Sequence, residues 1–214
     1  MHDALVVPRP DLVCVGSRGN KALGRAMLGS VSSATLAASA VPVCVFRASL
    51  PSPSEEELAV RAKLGDADQR QRAVCLALSG SDASHSVVEF AVDKLLRPSD
   101  NVVILHCDAP RKMRRRGLSD EHVSANLRAC EERVRAFLAL APDPRGGVHL
   151  IRAEEPAEGA ADVRDRMLEF LDKTDVELLV LGRTNRRGAF KTWTLGTVPM
   201  YAVTHGKCPV LVVN

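Results

Sequence analysis

Short apolar runs alternate along this chain with longer stretches in which apolar residues recur every three or four positions. Beyond residue 72 the runs predict β-strands at residues 73–78, 101–107, 148–152, 178–181 and 209–213. The stretches between them predict amphipathic helices at residues 87–96, 120–140 and 160–173, and from Gly196-Thr197 onward. Strands that alternate with helices through short links are typical of a parallel sheet covered by helices on both faces.

A block near the N-terminus, residues 11–46, returns near the C-terminus as residues 177–213. We call these the first copy and the second copy, and each has the pattern strand, glycine loop, helix, strand. The offset between them changes from 166 to 167 residues, so the second loop carries one inserted residue. Three residue pairs anchor the alignment: Gly16 with Gly182, Gly29 with Gly196, and Pro42 with Pro209. A repeat of this length indicates two related structural units.

The loop of the first copy, Gly16-x2-Gly19-x9-Gly29-Ser30, suits the binding of an anion. Gly16 lets the chain turn sharply off a strand, and Gly19 lets backbone amides approach a phosphate. Gly29-Ser30 adds a helix N-terminus, at which we expect Ser30 to be the N-cap, as Thr197 is in the second copy. On spacing alone, a glycine-punctuated turn in front of a capped helix is an equally good interpretation.

The loop of the second copy departs from that pattern and reads Gly182-x2-Asn185-x10-Gly196-Thr197. Asn185 replaces the second glycine. Pro199 stands where the first copy has Ser32, which removes a hydroxyl and an amide donor. Four cations in this region are expected to offset phosphate charge: Arg183, Arg186, Arg187 and Lys191.

Composition narrows the classes of function. The net charge of +3 is too small to indicate a nucleic-acid partner. No signal peptide and no apolar run near 18 residues is present, so we expect a soluble protein of the reducing cytoplasm with no membrane partner. The six cysteines show no C-x-x-C spacing, and we expect small buried apolar side chains rather than redox or metal chemistry. They are Cys14, Cys44, Cys75, Cys107, Cys130 and Cys208.

The segment DLVCVGSRGNKALGRAMLGSVSSATLAASAVPVCVF, residues 11–46, resembles the C-terminal half of a universal stress protein (UspA-type) domain. That family shows G-x2-G-x9-G-S/T after its fourth strand, and its ATP-binding members hold the triphosphate there. Residues 73–213 resemble one whole such domain. The resemblance implies an α/β fold with a doubly wound, parallel five-stranded sheet of order 3-2-1-4-5 (Rossmann-like). To this it adds a strand–helix–strand remnant of another copy.

The resemblance also implies ATP as the cofactor and assigns the residues that bind it. The candidates are Gly16, Gly19, Gly29, Ser30, Ser32, Ser79, Gly182, Asn185, Gly196 and Thr197. Ser79 stands where ATP-binding relatives usually have the aspartate of a V-D-G-S-type turn, and a hydroxyl there can bond a base or ribose. Asp82 is expected to cap the helix that follows, or to substitute in part for that aspartate.

The first copy has no strands one to three in front of it, which suggests three parts: a remnant (1–47), a linker (48–72) and a complete domain (73–214). A lone strand–helix–strand unit cannot bury its own apolar face. Either the chain is a fragment of a longer protein, or the remnant docks with Val43–Phe46 beside Val210–Val213. In the family that the chain resembles, two domains often pair antiparallel through their fifth strands, so we predict docking, which gives the strand order 3-2-1-4-5-5-4. The strand Leu12–Val15 then forms an exposed edge, so we also expect self-association, as a dimer through fifth strands.

Three hypotheses for function remain. The first is a stress-response regulator that binds ATP or another adenine nucleotide and hydrolyses it slowly at most. The second is a family member that binds no nucleotide and acts by protein association. The third is an adenylating enzyme of the ATP-pyrophosphatase type, although the Ser79–Ser84 loop lacks that motif's second glycine. We find no catalytic constellation and no metal site, and we expect His106 to be buried at the end of strand two.

Overall fold

The computed structural model describes residues 10–17, 28–46, 71–108, 119–140, 146–153, 163–183 and 196–214. These residues form one seven-stranded sheet with helices on both faces. The strands are β1 (Val13–Gly16), β2 (Val43–Phe46), β3 (Ala73–Ala77), β4 (Asn101–Cys107), β5 (Gly147–Ala153), β6 (Leu178–Gly182) and β7 (Val210–Val213). The helices are α1 (Ser30–Ala38), α2 (Ala83–Phe90), α3 (Asp120–Leu138), α4 (Val163–Lys173) and α5 (Thr197–His205).

The strand order across the sheet is β1-β2-β7-β6-β3-β4-β5. The five strands from β3 to β7 are all parallel, and their order is the predicted 3-2-1-4-5 of a doubly wound fold. The predicted α/β class is therefore confirmed. The sheet does not end there, because the two strands of the first copy extend it from five strands to seven.

The first copy joins the rest of the sheet through an antiparallel pair, β2 with β7, in which Val43 faces Val212 and Val45 faces Val210. This is the docking that the sequence predicts. Both edges of β2 and both edges of β7 are hydrogen-bonded within the chain. The predicted route of association through the fifth strands, β2 and β7, is therefore wrong for the described sheet, because these strands pair with each other. Of the described strands, only β1 and β5 keep an open edge; association between two chains by another route stays a prediction, as do the domain boundaries.

Two apolar layers sandwich the sheet, one on each face. We call the face covered by α2 and α3 face one, and the face covered by α1, α4 and α5 face two. Successive strand residues alternate between them, as pleating requires: Val74 and Leu76 lie on face one, and Cys75 lies on face two. With only 3% aromatic residues, both layers are built mostly of Val, Leu and Ala.

The helix predicted at residues 87–96 begins earlier and ends differently. It starts at Ala83, and after Phe90 its last turn is a π-helical turn, Ala91–Leu95, closed by a 2.7 Å bond from the Leu96 N–H to the Ala91 carbonyl. The wider turn keeps Ala91, Val92 and Leu96 all buried on one face. A periodicity of 3.6 residues cannot signal this change of hydrogen-bond spacing.

The predicted N-caps were wrong by one residue. Gly29 and Gly196 hold the cap positions in extended conformations, at φ/ψ of −61°/150° and −65°/161°. Ser30 and Thr197 are the first helical residues instead. Glycine is an accepted N-cap, but it provides no side chain to accept hydrogen bonds from the first-turn amides.

Helix α1 is held to the sheet by very few side chains, and we expect Leu36→Ala to test that docking. Leu36 is 2% exposed and lies in the face-two layer, whereas Val31 on the same helix is 73% exposed. Leu36→Ala should cost about 2–5 kcal/mol, because a buried leucine leaves a cavity. Val31→Ala should stay within about 0.5 kcal/mol. Urea denaturation, read together with amide exchange in α1, measures both, and equal effects would contradict the docking.

Candidate functional site

The candidate residues fall into two groups at opposite ends of the strands. We call the end that holds the carboxyl ends of β1 and β2 the first edge, and the end that holds the carboxyl ends of β3 to β7 the second edge. Strands β1 and β2 run against β6 and β7, because the β2–β7 pair is antiparallel. The carboxyl ends of the first copy therefore point away from those of the second copy. Gly16, Gly29, Ser30 and Ser32 lie at one edge; Ser79, Gly182, Gly196 and Thr197 lie at the other. The two copies cannot complete one shared pocket within a chain.

At the first edge the glycine loop is closed by backbone hydrogen bonds. The Ser17 N–H donates to the Phe46 carbonyl at 2.7 Å, and the Gly29 N–H donates to the Ser17 carbonyl at 2.9 Å. The second bond brings the start of α1 back to the end of β1. Gly19 falls between these points, at a position outside the described residues.

Ser32 has a structural contact at this edge. Its side chain is buried, and its hydroxyl donates to the Gly16 carbonyl at 2.5 Å. The bond ties the first turn of α1 to the residue that ends β1. A phosphate that used the Ser32 hydroxyl would have to replace this bond, whereas Ser30 is exposed at the helix start.

At the second edge, the site lies where the order of parallel strands reverses. β3 and β6 are neighbours, and the chain winds outward from them in both directions. In open α/β sheets, ligands bind in the crevice outside the carboxyl ends of such a pair. Gly182 ends β6, and a Cβ there would approach Val87 Cγ2 of α2 to 3.0 Å. The position of Asn185, three residues on, lies outside the described residues.

The turn after β3 forms the other wall of that crevice. Ser79 is exposed, and its hydroxyl lies 2.9 Å from the Ser81 hydroxyl. Between them Gly80 has φ of +70°, the left-handed conformation that glycine adopts without strain. A Cβ on Gly80 would lie 2.5 Å from Val123 Cγ1 of α3. Both the backbone angle and the close helix therefore require glycine here.

The helix N-terminus at the second edge offers fewer donors than its counterpart in the first copy. Gly196 caps α5, Thr197 begins it, and Pro199 is buried at its third position. Proline has no N–H, so the first turn of α5 keeps the amides of Thr197 and Val198 only. The corresponding turn of α1 has amides at three positions. The sequence-based expectation of a weakened phosphate cradle is consistent with this geometry.

Asp82 does not act as the predicted cap. It occupies the N-cap position of α2 but makes no capping bond. Its carboxylate accepts a hydrogen bond from Asn126 Nδ2 at 3.1 Å and lies 3.1 Å from His122 Nε2. Both contacts hold the pKa of Asp82 below its usual value, and the hydrogen bond from Asn126 has the larger effect. Asn126 Nδ2 also donates to the Gly80 carbonyl at 3.1 Å, so α3 supports the turn that carries Ser79.

His106 is buried at the end of β4, as expected, and braces the same turn. Its Nδ1 lies 2.8 Å from the Leu78 carbonyl, and its Nε2 lies 3.2 Å from an Asp108 carboxylate oxygen. Sequence reasoning missed Asp108 and Arg166. The Arg166 guanidinium, buried beneath α4, donates to the carbonyls of Asp108 and Ala153 and so joins the ends of β4 and β5.

The expectation for Arg183 was wrong. Its guanidinium donates to the carbonyls of Ala37, at 2.5 Å, and Ser39, at 3.2 Å. These groups lie at the C-terminal end of α1, where a helix has unpaired carbonyls and partial negative charge. Asn214 joins the cluster, since its side chain contacts both Arg183 and Ser39. Arg183 is therefore a clamp between the two copies. No spacing rule predicts this contact, because its acceptors are backbone atoms distant in sequence.

Within the described residues, no group of three or more His, Cys, Asp or Glu side chains is arranged to hold a metal ion. In that same part of the chain, no helix has both the length and the apolar character needed to span a bilayer.

Comparison with known proteins identifies relatives for both units. The model of the universal stress protein family matches residues 8–47 and 71–214. The two matched segments correspond to the first copy and to the domain that follows it.

Solved structures with the same fold come from archaea and bacteria. A universal stress protein from Archaeoglobus fulgidus DSM 4304 is 21% identical, with a TM-score of 0.56 over 95% of this chain and 62% of that one. A putative universal stress protein from Pseudomonas aeruginosa UCBPP-PA14 is 14% identical, with a TM-score of 0.55 over 95% and 63%. This chain thus spans less than two thirds of either relative.

A third similar structure contains a nucleotide. It is the universal stress protein from Archaeoglobus fulgidus in complex with dAMP, 17% identical, with a TM-score of 0.42 over 68% of this chain and 99% of that one. The dAMP is a property of that complex. A TM-score below 0.5 is too low to transfer its contacts to residues of this chain.

Removing the clamp should loosen the first copy. We expect Arg183→Met to cost about 1–3 kcal/mol of stability, because the carbonyls at the end of α1 lose a charged donor. The matched control is Lys173→Met, which removes an exposed ion pair with Glu169 and should change stability by less than about 1 kcal/mol. Urea denaturation measures both. Equal losses would show that the Arg183 contacts contribute nothing specific.

The turn after β3 should reject any side chain at Gly80. Gly80→Ala should cost at least about 1–2 kcal/mol, since alanine is strained at positive φ and its Cβ meets Val123. The double variant Gly80→Ala/Val123→Ala should recover the part due to the contact but not the part due to the angle.

Gly147→Ala is the control for that experiment, because the nearest atom to its added Cβ is His149 Nε2 at 3.6 Å. Thermal denaturation of the three variants separates the two contributions. A Gly80→Ala protein as stable as Gly147→Ala would contradict the described turn.

Proposed function

Since the chain belongs to the universal stress protein family, we propose that it is a regulatory protein of the stress response that binds ATP or another adenine nucleotide. We place the nucleotide at the second edge of the sheet, outside the carboxyl ends of β3 and β6. Its expected location is the cytoplasm. The existence of a relative in complex with dAMP is compatible with this ligand class.

The observation that carries the proposal is the convergence of three elements at the switch point of the sheet. The turn after β3, the end of β6 and the glycine-capped start of α5 all belong to this edge. A helix N-terminus attracts phosphate through its dipole and its free amides. Strand ends at a switch point supply the crevice for the rest of the ligand.

Each candidate residue then has a role that its chemistry allows. Ser79, exposed in the turn after β3, is proposed to bond the base or ribose through its hydroxyl. Gly182 and Asn185 are proposed to line the loop, with Gly196 and Thr197 presenting amides to the phosphates. With only two first-turn amides and with Arg183 committed to α1, we expect binding weaker than a full glycine-loop site would give.

The first edge is the less complete of the two sites. Gly16, Gly19, Gly29, Ser30 and Ser32 keep the full glycine pattern, but β1 is the last strand of the described sheet. No described strand lies beyond it to form the base and ribose side. We therefore assign this edge at most a free anion, and we expect at most slow ATP hydrolysis by the protein.

Association without nucleotide is the second candidate function. The observation that favours it is the loss of donors at α5 together with the open backbone edge of β1. In this alternative, the family fold serves to bring protein chains together and the switch-point crevice stays empty.

A pair of matched variants distinguishes these assignments. Gly196→Asp places a carboxylate at the N-cap of α5, where aspartate suits the helix but repels a phosphate. Gly29→Asp makes the same change at the N-cap of α1, whose backbone angles are nearly identical. We expect Gly196→Asp to weaken binding of ATP by tenfold or more and Gly29→Asp to leave it unchanged. Calorimetric titration of each purified protein measures the effect.

Other results from the same samples would contradict the placement of the nucleotide at the second edge. Loss of binding in Gly29→Asp alone would move the nucleotide to the first copy. A wild-type protein that releases no nucleotide on denaturation, and shows no heat with millimolar ATP, would favour association. Equal thermal stability of both variants and the wild type establishes that a change in binding is not a change in folding.

A further inference from the structure

Two cysteines lie side by side at the edge of the sheet in the first copy. Cys14 of β1 and Cys44 of β2 are register partners in parallel neighbouring strands. Register partners in such a pair project to the same face, and Cys44 packs in the face-one layer. Among the described strands, this is the one register that places cysteine opposite cysteine.

The two thiols differ in exposure. Cys44 is 4% exposed, as the sequence predicts, but Cys14 is exposed, so the expectation of a buried apolar side chain was wrong for it. The physical reason is that β1 is the last strand of the described sheet. Phe46 of β2, the register partner of Gly16, is also 44% exposed. A thiol open to solvent thus lies next to one inside the core.

We propose that Cys14 and Cys44 form a reversible disulfide, with Cys14 as the thiol that a hydroperoxide oxidises first. Adjacent strands lie about 4.7–4.9 Å apart, within the roughly 4.4–6.8 Å between Cα atoms that disulfides tolerate. The Cβ atoms must approach somewhat closer than they do in a regular sheet. Within the described part of the chain, β1 is hydrogen-bonded to a strand on one side only, which leaves it freer to move than the inner strands.

The chemistry requires two steps and one equivalent of hydroperoxide. The Cys14 thiolate attacks the peroxide, the O–O bond breaks, and an alcohol or water leaves, so that Cys14 becomes a sulfenic acid. The Cys44 sulfur then attacks the Cys14 sulfur, the S–O bond breaks, and water leaves with the proton of Cys44. Two thiols lose two electrons in total, and the peroxide gains them. A thiol reductant reverses the bond by exchange.

The environment of Cys44 predicts the order of events. Burial, with a smaller contribution from Cys14, raises the pKa of Cys44 to about 12. Its thiolate is therefore scarce at neutral pH, and the second step should be slower than the first. Closeness of the two sulfurs offsets part of this cost, since reaction within one molecule is favoured over reaction between molecules.

Cys75 and Cys130 have no cysteine as a register partner in the sheet. Cys75 lies in the register between Val103 and Leu179, and Cys130 lies on α3. Burial raises the pKa of both thiols, so neither is activated for attack on a peroxide. The proposal concerns a pair, not cysteines in general.

The disulfide would restrain the end of the first-copy loop. Cys14 is two residues before Gly16, whose carbonyl accepts a hydrogen bond from the Ser32 hydroxyl. The disulfide would form in the first copy, away from the second edge where the nucleotide site is proposed. Its formation can therefore be tested independently of nucleotide binding.

The test treats the full-length, folded protein with hydrogen peroxide, blocks the remaining thiols with N-ethylmaleimide, and digests with trypsin. Cleavage after Arg18 and Arg25 separates the two cysteines, so a disulfide joins two peptides that mass spectrometry identifies. We expect dimedone to trap a sulfenic acid on Cys14 at early times. The linked peptides should then replace it and disappear on addition of dithiothreitol.

Two variants provide the controls. Cys14→Ser, at an exposed position, should keep the stability of the wild type and lose both the sulfenic acid and the link. Cys107→Ser, on the half-buried end of β4, should retain both.

Three outcomes would overturn the proposal. In the first, Cys14 is oxidised to a sulfinic acid while Cys44 stays a free thiol that N-ethylmaleimide alkylates once the protein is unfolded. In the second, the disulfide joins the Cys14 residues of two chains. In the third, the link between Cys14 and Cys44 forms only in urea.

Discussion

The antiparallel contact between β2 and β7 is the constraint on which the rest of the structure depends. It is short, with three residue pairs in register, yet among the described strands it is the only pairing that connects the first copy to the remainder of the sheet. A strand, a helix and a strand cannot bury their own apolar surface. Packing of Leu36 beneath the sheet and the Arg183 contacts to the end of α1 add to this contact from the second face. Apolar burial and a charged clamp thus act on the same junction.

That junction also decides where chemistry can occur. Because the strands reverse direction across it, the loop with the full glycine pattern and the loop with a complete domain around it are held at opposite edges. The copy that keeps the better phosphate loop has no described strand beyond β1, while the copy with all five strands has a proline in the first turn of its helix. A glycine-loop pattern by itself therefore does not establish a nucleotide pocket; the neighbouring strands must be present as well.

Most of the architecture could be predicted because it follows from local signals. The apolar runs, the prolines at the start of strands and the repeat predict the strands and helices, whereas the strand order and the docking of β2 on β7 were predicted from the resemblance to the universal stress protein family. What could not be predicted rests on contacts between distant parts of the chain. Arg183 lies at a loop position where the sequence suggests a phosphate ligand, but its guanidinium donates to backbone carbonyls at the end of α1. Cys14 lies in an apolar run typical of the core but is exposed on the last strand of the described sheet. Asp82 occupies the N-cap position of α2, but its carboxylate accepts a hydrogen bond from Asn126 instead of capping the helix.

The pairing of β2 with β7 has a consequence for how the protein is made. β2 leaves the ribosome well before β7, because residues 47–209 separate the two strands, so β2 lacks this partner until those residues have been synthesised. At about 5–20 residues per second, the apolar segment of the first copy waits on the order of ten seconds or more without its sheet. During that interval its strands resemble those that chaperones recognise and that aggregate when crowded. The first copy therefore cannot complete its docking until β7 has been synthesised.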